Sequence, residues 1–288
     1  MSARARQGLP VLVAAIVSLA AATPLIRWAA PAPAMTVAAG RVGLAAILLA
    51  IAGRGGLAAL RGLGRRERLL VVAAGALLGV HFGVWITSLY FTSTAASLAL
   101  VAMNPVFAAL LGALIGDRVR RREWLGIAIA GAGCATLAGG DWQAGGHALI
   151  GDGLALAGAA TAAAYLVVGR RLREAMPLFP YLAAVNGVAG VGLLAGALLS
   201  GATFTGLPWQ SYTAIALSAA IPSLLGHSFL NLAVRTTPTH LVALAILGEP
   251  VGASLMTWAF FAEQPPAHAA IGGAIVLGGI AVGFLGRR

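Results

Sequence analysis

A glutamate, an arginine and two histidines stand inside stretches that are otherwise almost wholly apolar, and they are the residues equipped for chemistry. Glu249 is the one acid in the middle of such a stretch. A charge at the centre of a bilayer costs about 2.5–3.5 kcal/mol on insertion scales, so it needs a reason to be there. Three reasons stay open: Glu249 carries a proton or cation, holds a substrate amine, or satisfies backbone groups freed by Pro250. A proline removes one helical hydrogen bond and kinks the helix, and the freed groups need new partners. Asn104, before Pro105, is the neutral counterpart, and there a structural role leads. Imidazole as a side-chain type titrates near neutral pH, so His81 and His227 offer a proton carrier, or else each bonds a neighbouring helix. Trp85 follows His81 by four residues and shares its helical face. With Tyr165 it offers a stacking or cation–π surface to a ligand; packing and lipid contact are the plainer alternatives. Arg41 needs a carboxylate, carbonyls or water. Glu249 is one candidate partner, and snorkelling toward an interface is the competing arrangement.

The elements that must position these groups follow from composition. Of the 288 residues 60% are hydrophobic and 9% charged, and mean hydropathy is +0.92. A water-soluble domain carries roughly a quarter charged residues on its exterior. Here that exterior is missing, so the surrounding solvent is lipid, and aqueous enzymes and nucleic-acid binders are excluded. The net charge of +11 comes from 19 arginines in short clusters between apolar runs, the distribution of cytoplasmic loops. Cys134 is the sole cysteine, so no disulfide is possible within the chain. No HExxH or Walker motif occurs. Neither a metal nor a cofactor is expected.

A helix needs roughly 20 apolar residues to cross a bilayer. Cutting at charges, prolines and polar clusters gives ten such runs, roughly 9–29, 34–53, 69–90, 94–115, 124–140, 150–169, 180–200, 211–230, 238–261 and 267–286. The first, behind Arg4 and Arg6, imitates a secretory leader but is long enough to span and is read as an uncleaved helix. With the N-terminus inside, 17 of the 19 arginines fall in the predicted cytoplasmic segments and none in the predicted outside loops, as the positive-inside rule requires. The expected fold is therefore all-α, with ten spans and both termini cytoplasmic. Trp28, Trp124, Trp142 and Trp209 fall near span ends, where headgroups favour their rings; Trp85 and Trp258 do not.

Sliding the chain by 145–146 residues exposes an internal repeat. Asn104-Pro105-Val106 falls on Glu249-Pro250-Val251, Thr92 and Thr94 on Thr237 and Thr239, Asp117 on Glu263, and His81 on His227. Gly126, Ala128 and Ile129 fall on Gly272, Ala274 and Ile275. Two units are expected, 1–140 and 141–288. Five spans each is an odd number, so the second enters the membrane from the other side. Such inverted repeats, with a site near the midplane, are the architecture of many secondary transporters.

The stretch Thr92–Phe107, Gly116-Asp117-Arg118 and Trp124–Ala128 resemble the EamA-type drug/metabolite transporter repeat. Leu247-Gly248-Glu249-Pro250-Val251, with Ala262-Glu263, is similar to its second copy, and Gly151-Asp152 at the start of span six fits as well. The second copy departs from the pattern at Glu263-Gln264-Pro265-Pro266. The resemblance implies ten helices, alternating access, and export of an amino acid or related metabolite from the cell across the inner membrane. Uptake of a metabolite and drug efflux are the alternatives within transport. A membrane-embedded enzyme or a scaffold subunit lies outside it. The enzyme lacks a second intramembrane acid for a dyad with Glu249, since Asp141 and Asp152 lie at span edges. The expected partners are a small-molecule substrate and the lipid bilayer, without nucleic acid; proton coupling and a homodimer stay open. Asn186, Ser223, Ser228 and Asn231 line the path or join helices. Gly126, Gly131, Gly133, Gly272, Gly273, Gly278, Gly279 and Gly283 allow close helix approach between halves or subunits.

Overall fold

The computed structural model describes residues 3–54, 58, 60–92, 94–116, 118–138, 146–235, 237–262, 264 and 267–285. The expectations that fall on Asp117, Asp141, Trp142, Glu263, Arg287 and Arg288, and on the side chains of Arg4 and Arg6, lie outside the described residues. The described elements are helical without exception. Nine helical stretches are long and apolar enough to cross a membrane: Pro10–Trp28, Ala34–Ala52, Arg65–Ser88, Ala96–Leu114, Gly146–Arg170, Leu178–Leu199, Trp209–Ala233, Thr239–Phe260 and Ala267–Phe284. The remaining long helix, Arg121–Ala138, begins with Arg121, Arg122 and Glu123 and is uncharged from Trp124 onward. The nine and Arg121–Ala138 are numbered together in chain order as spans one to ten, a label of position for the fifth.

Prolines set several of the span starts. Spans two, seven, eight and nine open directly after Pro33, Pro177, Pro208 and Pro238, each at φ between −53° and −63° and ψ between 143° and 152°. The fixed φ holds the preceding chain extended and the helix starts on the next residue. The first span bends at Ala21, where Ala3–Ala20 gives way to Ala22–Trp28. Pro24 explains it, because it brings no N–H to the carbonyl of Ala20.

Span two packs on span seven, span five on span ten, span three on span six, and span one on span eight. Exchanging the two halves leaves this list unchanged. Spans five and ten meet through glycines: a methyl on Gly126 would lie 2.7 Å from Gly279 O and from Gly283 Cα. Gly133 and Gly272 are as crowded, whereas Gly131 and Gly278 face open space. The glycine seam therefore lies between the halves of one chain. The outer surface is apolar, with Ile47, Val191, Leu198 and Phe260 among the large exposed side chains, which is the surface lipid requires. Trp258 is exposed on that surface. Trp28 and Trp209 meet edge to face at 6.2 Å.

Candidate functional site

Spans four and nine are broken, not merely kinked. Thr94–Val101 ends at a two-residue turn and Asn104–Leu114 begins after it; Thr239–Ile246 and Glu249–Phe261 repeat the arrangement. At the breaks, Met103 N–H donates to Leu100 O at 3.0 Å and Leu247 N–H to Leu244 O at 3.1 Å, tighter three-residue bonds in place of the α-helical ladder. Pro105 and Pro250 bring no N–H to the carbonyls of Val101 and Ile246, four residues back. The breaks place Asn104 and Glu249 on the first turn of a half-helix, where the macrodipole is positive and a carboxylate is favoured.

Span eight carries a different irregularity. Ala219–Gly226 is π-helical around Pro222, and this wider turn holds Ser223 toward span two. Arg41 is 1% exposed. Its Nε donates to Ser223 Oγ at 2.8 Å. Its guanidinium carbon stands 4.6 Å from the Phe82 ring centroid and 5.9 Å from that of Trp85, so it is held on an aromatic platform. Arg41 and Glu249 border the same cavity, but Glu249 is not its direct partner; a serine and two aromatic faces are. Snorkelling does not describe Arg41 either, since it ends among buried groups.

His81 Nδ1 lies 2.9 Å from Gly158 O. A carbonyl only accepts, so Nδ1–H donates and Nε2 is left as the acceptor in neutral imidazole. The His81 ring stacks on Trp85 at 5.8 Å and 6°, and His227 meets Phe82 edge-on at 5.4 Å. Phe82 thus stands between the repeat-related histidines and beneath Arg41. Tyr165 Oη donates to Asn231 Oδ1 at 3.0 Å, and Asn231 Nδ2 donates to His227 O at 2.7 Å. Asn104 Nδ2 donates to Ala159 O at 3.2 Å. Asn186 Nδ2 donates within its own helix, to Leu182 O at 2.9 Å.

One cavity, with about 800 Å³ of empty space including the part open to solvent, is bordered by Arg41, His81, Trp85, Asn104, Tyr165, His227 and Glu249 together. Pro250 is also on its wall, and Pro105 adjoins Asn104. The rest of the wall is mainly apolar, with Leu78, Leu98, Leu166 and Leu230. Repeat-equivalent positions border it in pairs: Leu98 and Ala243, Val101 and Ile246, Asn104 and Glu249, His81 and His227. Arg41 Nη1, Trp85 Nε1, Asn104 Oδ1 and His227 Nδ1 are buried with no hydrogen-bond partner among the described residues. Such groups are costly when left dry, and these four stand at one cavity. Sequence reasoning did not single out Phe82, although its position next to His81 was a usable signal. Ser223 was grouped only with generic polar residues of the spans.

The chain matches the family model of the EamA-like transporter family twice, over residues 6–139 and 149–285. A solved crystal structure shares the fold with a TM-score of 0.80 at 18% identity, covering 97% of this chain and 98% of that chain. No curated protein matches the sequence.

Proposed function

Because the chain belongs to the EamA-like transporter family, we propose that it carries a small metabolite across the inner membrane by alternating access, using the cavity between Arg41 and Glu249. Arg121–Ala138 is then the fifth of ten spans, its three charged residues lying at the headgroups. Residues 1–140 and 141–288 are the inverted halves, and both termini are cytoplasmic. The twice-matched family model and the exchange symmetry of the packing support this reading. Arrangements related by such symmetry have similar energies, one opening to each side.

The observation that carries the reading is the convergence of the Arg41 guanidinium, the Glu249 carboxylate and three further buried polar atoms, Trp85 Nε1, Asn104 Oδ1 and His227 Nδ1, on one mainly apolar cavity. A small molecule with an anionic and a cationic end fits that polarity, and export of an amino acid or a related compound is the leading reaction. Arg41, fixed by Ser223, takes the anionic end. Glu249, at a half-helix N-terminus, takes the cationic end or exchanges it for a proton. His81, Trp85 and Tyr165 supply the wall between, and Asn104 and His227 add hydrogen bonds.

Flux of radiolabelled amino acids in proteoliposomes, with and without a pH gradient, tests the proposal. Glu249→Gln is expected to abolish flux or uncouple it from pH while the protein still reaches the membrane. Wild-type flux and pH response in that variant would remove Glu249 from the mechanism. Intracellular metabolite levels in cells with and without the protein identify the substrate and direction.

A further inference from the structure

The two ends of the cavity are not packed alike. The half-helices Asn104–Leu114 and Thr239–Ile246 lie against each other, and Ala108, Ala163 and Ala243 form a buried cluster where they meet span six. Their repeat equivalents are Glu249–Phe261 and Thr94–Val101, which among the described residues show no comparable packing. The closed end is the arginine-rich one: Arg118, Arg120, Arg121 and Arg122 follow Leu114, and Arg235 precedes Thr239.

A buried polar pair crosses that closed end. His240 Nε2 lies 3.1 Å from Glu123 Oε2, with side chains 1% and 3% exposed. The same oxygen accepts the backbone N–H of Arg120 at 2.6 Å, which fixes the carboxylate from the third residue of its own helix. A carboxylate oxygen only accepts, so Nε2–H of His240 donates. Glu123 belongs to span five and His240 to the second residue of span nine, so the pair ties the first half to the second. A hydrogen bond between polar side chains held out of water is strong, and separating this one takes a buried partner from each. The repeat-equivalent positions at the opposite end carry neither residue type. At the offset of 145 that aligns span nine with span four, His240 falls on Ala95; at the offset of 146 that aligns span ten with span five, Glu123 falls on Ala269.

We propose that Glu123 and His240 form a one-sided latch that holds the arginine-rich end shut, so that the resting protein stands open to the opposite side. The proposal rests on the alternating-access reading above. It adds what that reading leaves undetermined, namely which state is preferred and which residues set the preference. The three alanines permit close approach of the half-helices, and the latch makes closure at this end more favourable than at the other.

The test uses the full-length protein with Cys134→Ala, which removes the sole native cysteine. Ala108→Cys reports on the closed end and Leu98→Cys on the cavity wall toward the open one. Each is labelled with a membrane-impermeant maleimide in right-side-out and inside-out vesicles. Glu123→Gln and, separately, His240→Asn are expected to raise Ala108→Cys labelling from the arginine-rich side at least tenfold and to lower Leu98→Cys labelling from the other side. The double variant is expected to do no more than either single one. Ala243→Phe, which blocks closure whatever the latch does, is expected to shift both reporters in the same way. If Ala243→Phe shifts the reporters and both latch variants leave them unchanged, the latch is wrong and alternating access stands. If none of the three shifts them, both readings fall.

Discussion

A single methyl group, placed at two positions of span five, gives opposite results if the seam between spans five and ten is as close as described. On Gly126 it would lie 2.7 Å from Gly279 O, Gly283 Cα and Gly283 N, about 0.7 Å short of ordinary contact. All three are backbone atoms, so no rotamer change relieves the clash and the helices must separate. Overpacking of this kind costs about 1–3 kcal/mol. Alanine's greater helical preference over glycine returns about 0.8–1 kcal/mol. Gly126→Ala is therefore expected to destabilise by up to about 2 kcal/mol. Gly131, less than two turns away, has nothing within 4 Å of the added methyl, so Gly131→Ala keeps the helical gain of up to about 1 kcal/mol. The assay is thermal unfolding of both purified variants in one detergent, followed by tryptophan fluorescence. Gly126→Ala melting at or above Gly131→Ala would refute the packing argument, because local helix preference is the same at both sites.

Three further outcomes follow from the cavity. Ser223→Ala removes the hydrogen bond that Arg41 Nε donates, a charged bond of about 1.5–3 kcal/mol; the half-saturating substrate concentration is expected to rise at least about tenfold, with Ser223→Thr close to wild type. Arg41→Lys keeps the charge but loses the Nε–H that bonds Ser223 and the guanidinium carbon's place 4.6 Å over Phe82, and its melting temperature is expected to fall. Pro250→Ala returns an N–H to the Ile246 carbonyl and lets span nine run through its break. Flux is expected to drop at unchanged membrane yield, with slower amide exchange around Leu247 and Gly248.

The sequence disclosed the span positions closely, because length and apolarity are what a bilayer demands of a helix. Span two, expected at 34–53, is Ala34–Ala52, and span ten, expected at 267–286, is Ala267–Phe284. The residues around the cavity were legible for a related reason: a polar side chain in an apolar run is costly, so each stood out. Their grouping was foreshadowed only by the repeat, which put Asn104 beside Glu249 and His81 beside His227. What pairwise spacing does not carry is long-range partnership. Arg41 and Ser223 are 182 residues apart, and Glu123 and His240 are 117 apart. Glu123 was hidden further by its place among arginines, where it looks like one more loop charge. The prolines at 105 and 250 signalled irregular backbone, but a bend and a full break use the same residue. Only the turn geometry at Met103 and Leu247 distinguishes them. The π-helical segment left no mark beyond Pro222.

The bond from Arg41 to Ser223 also bears on how the chain is made. Span two leaves the ribosome long before span eight, and until span eight arrives the guanidinium lacks the serine that receives it. An unpaired guanidinium N–H in lipid draws in water or thins the bilayer, so Ser223 is expected to be what lets Arg41 settle in place. Expressed alone, residues 1–140 would keep Phe82 and Trp85 for Arg41 but would lack the serine that receives its Nε–H.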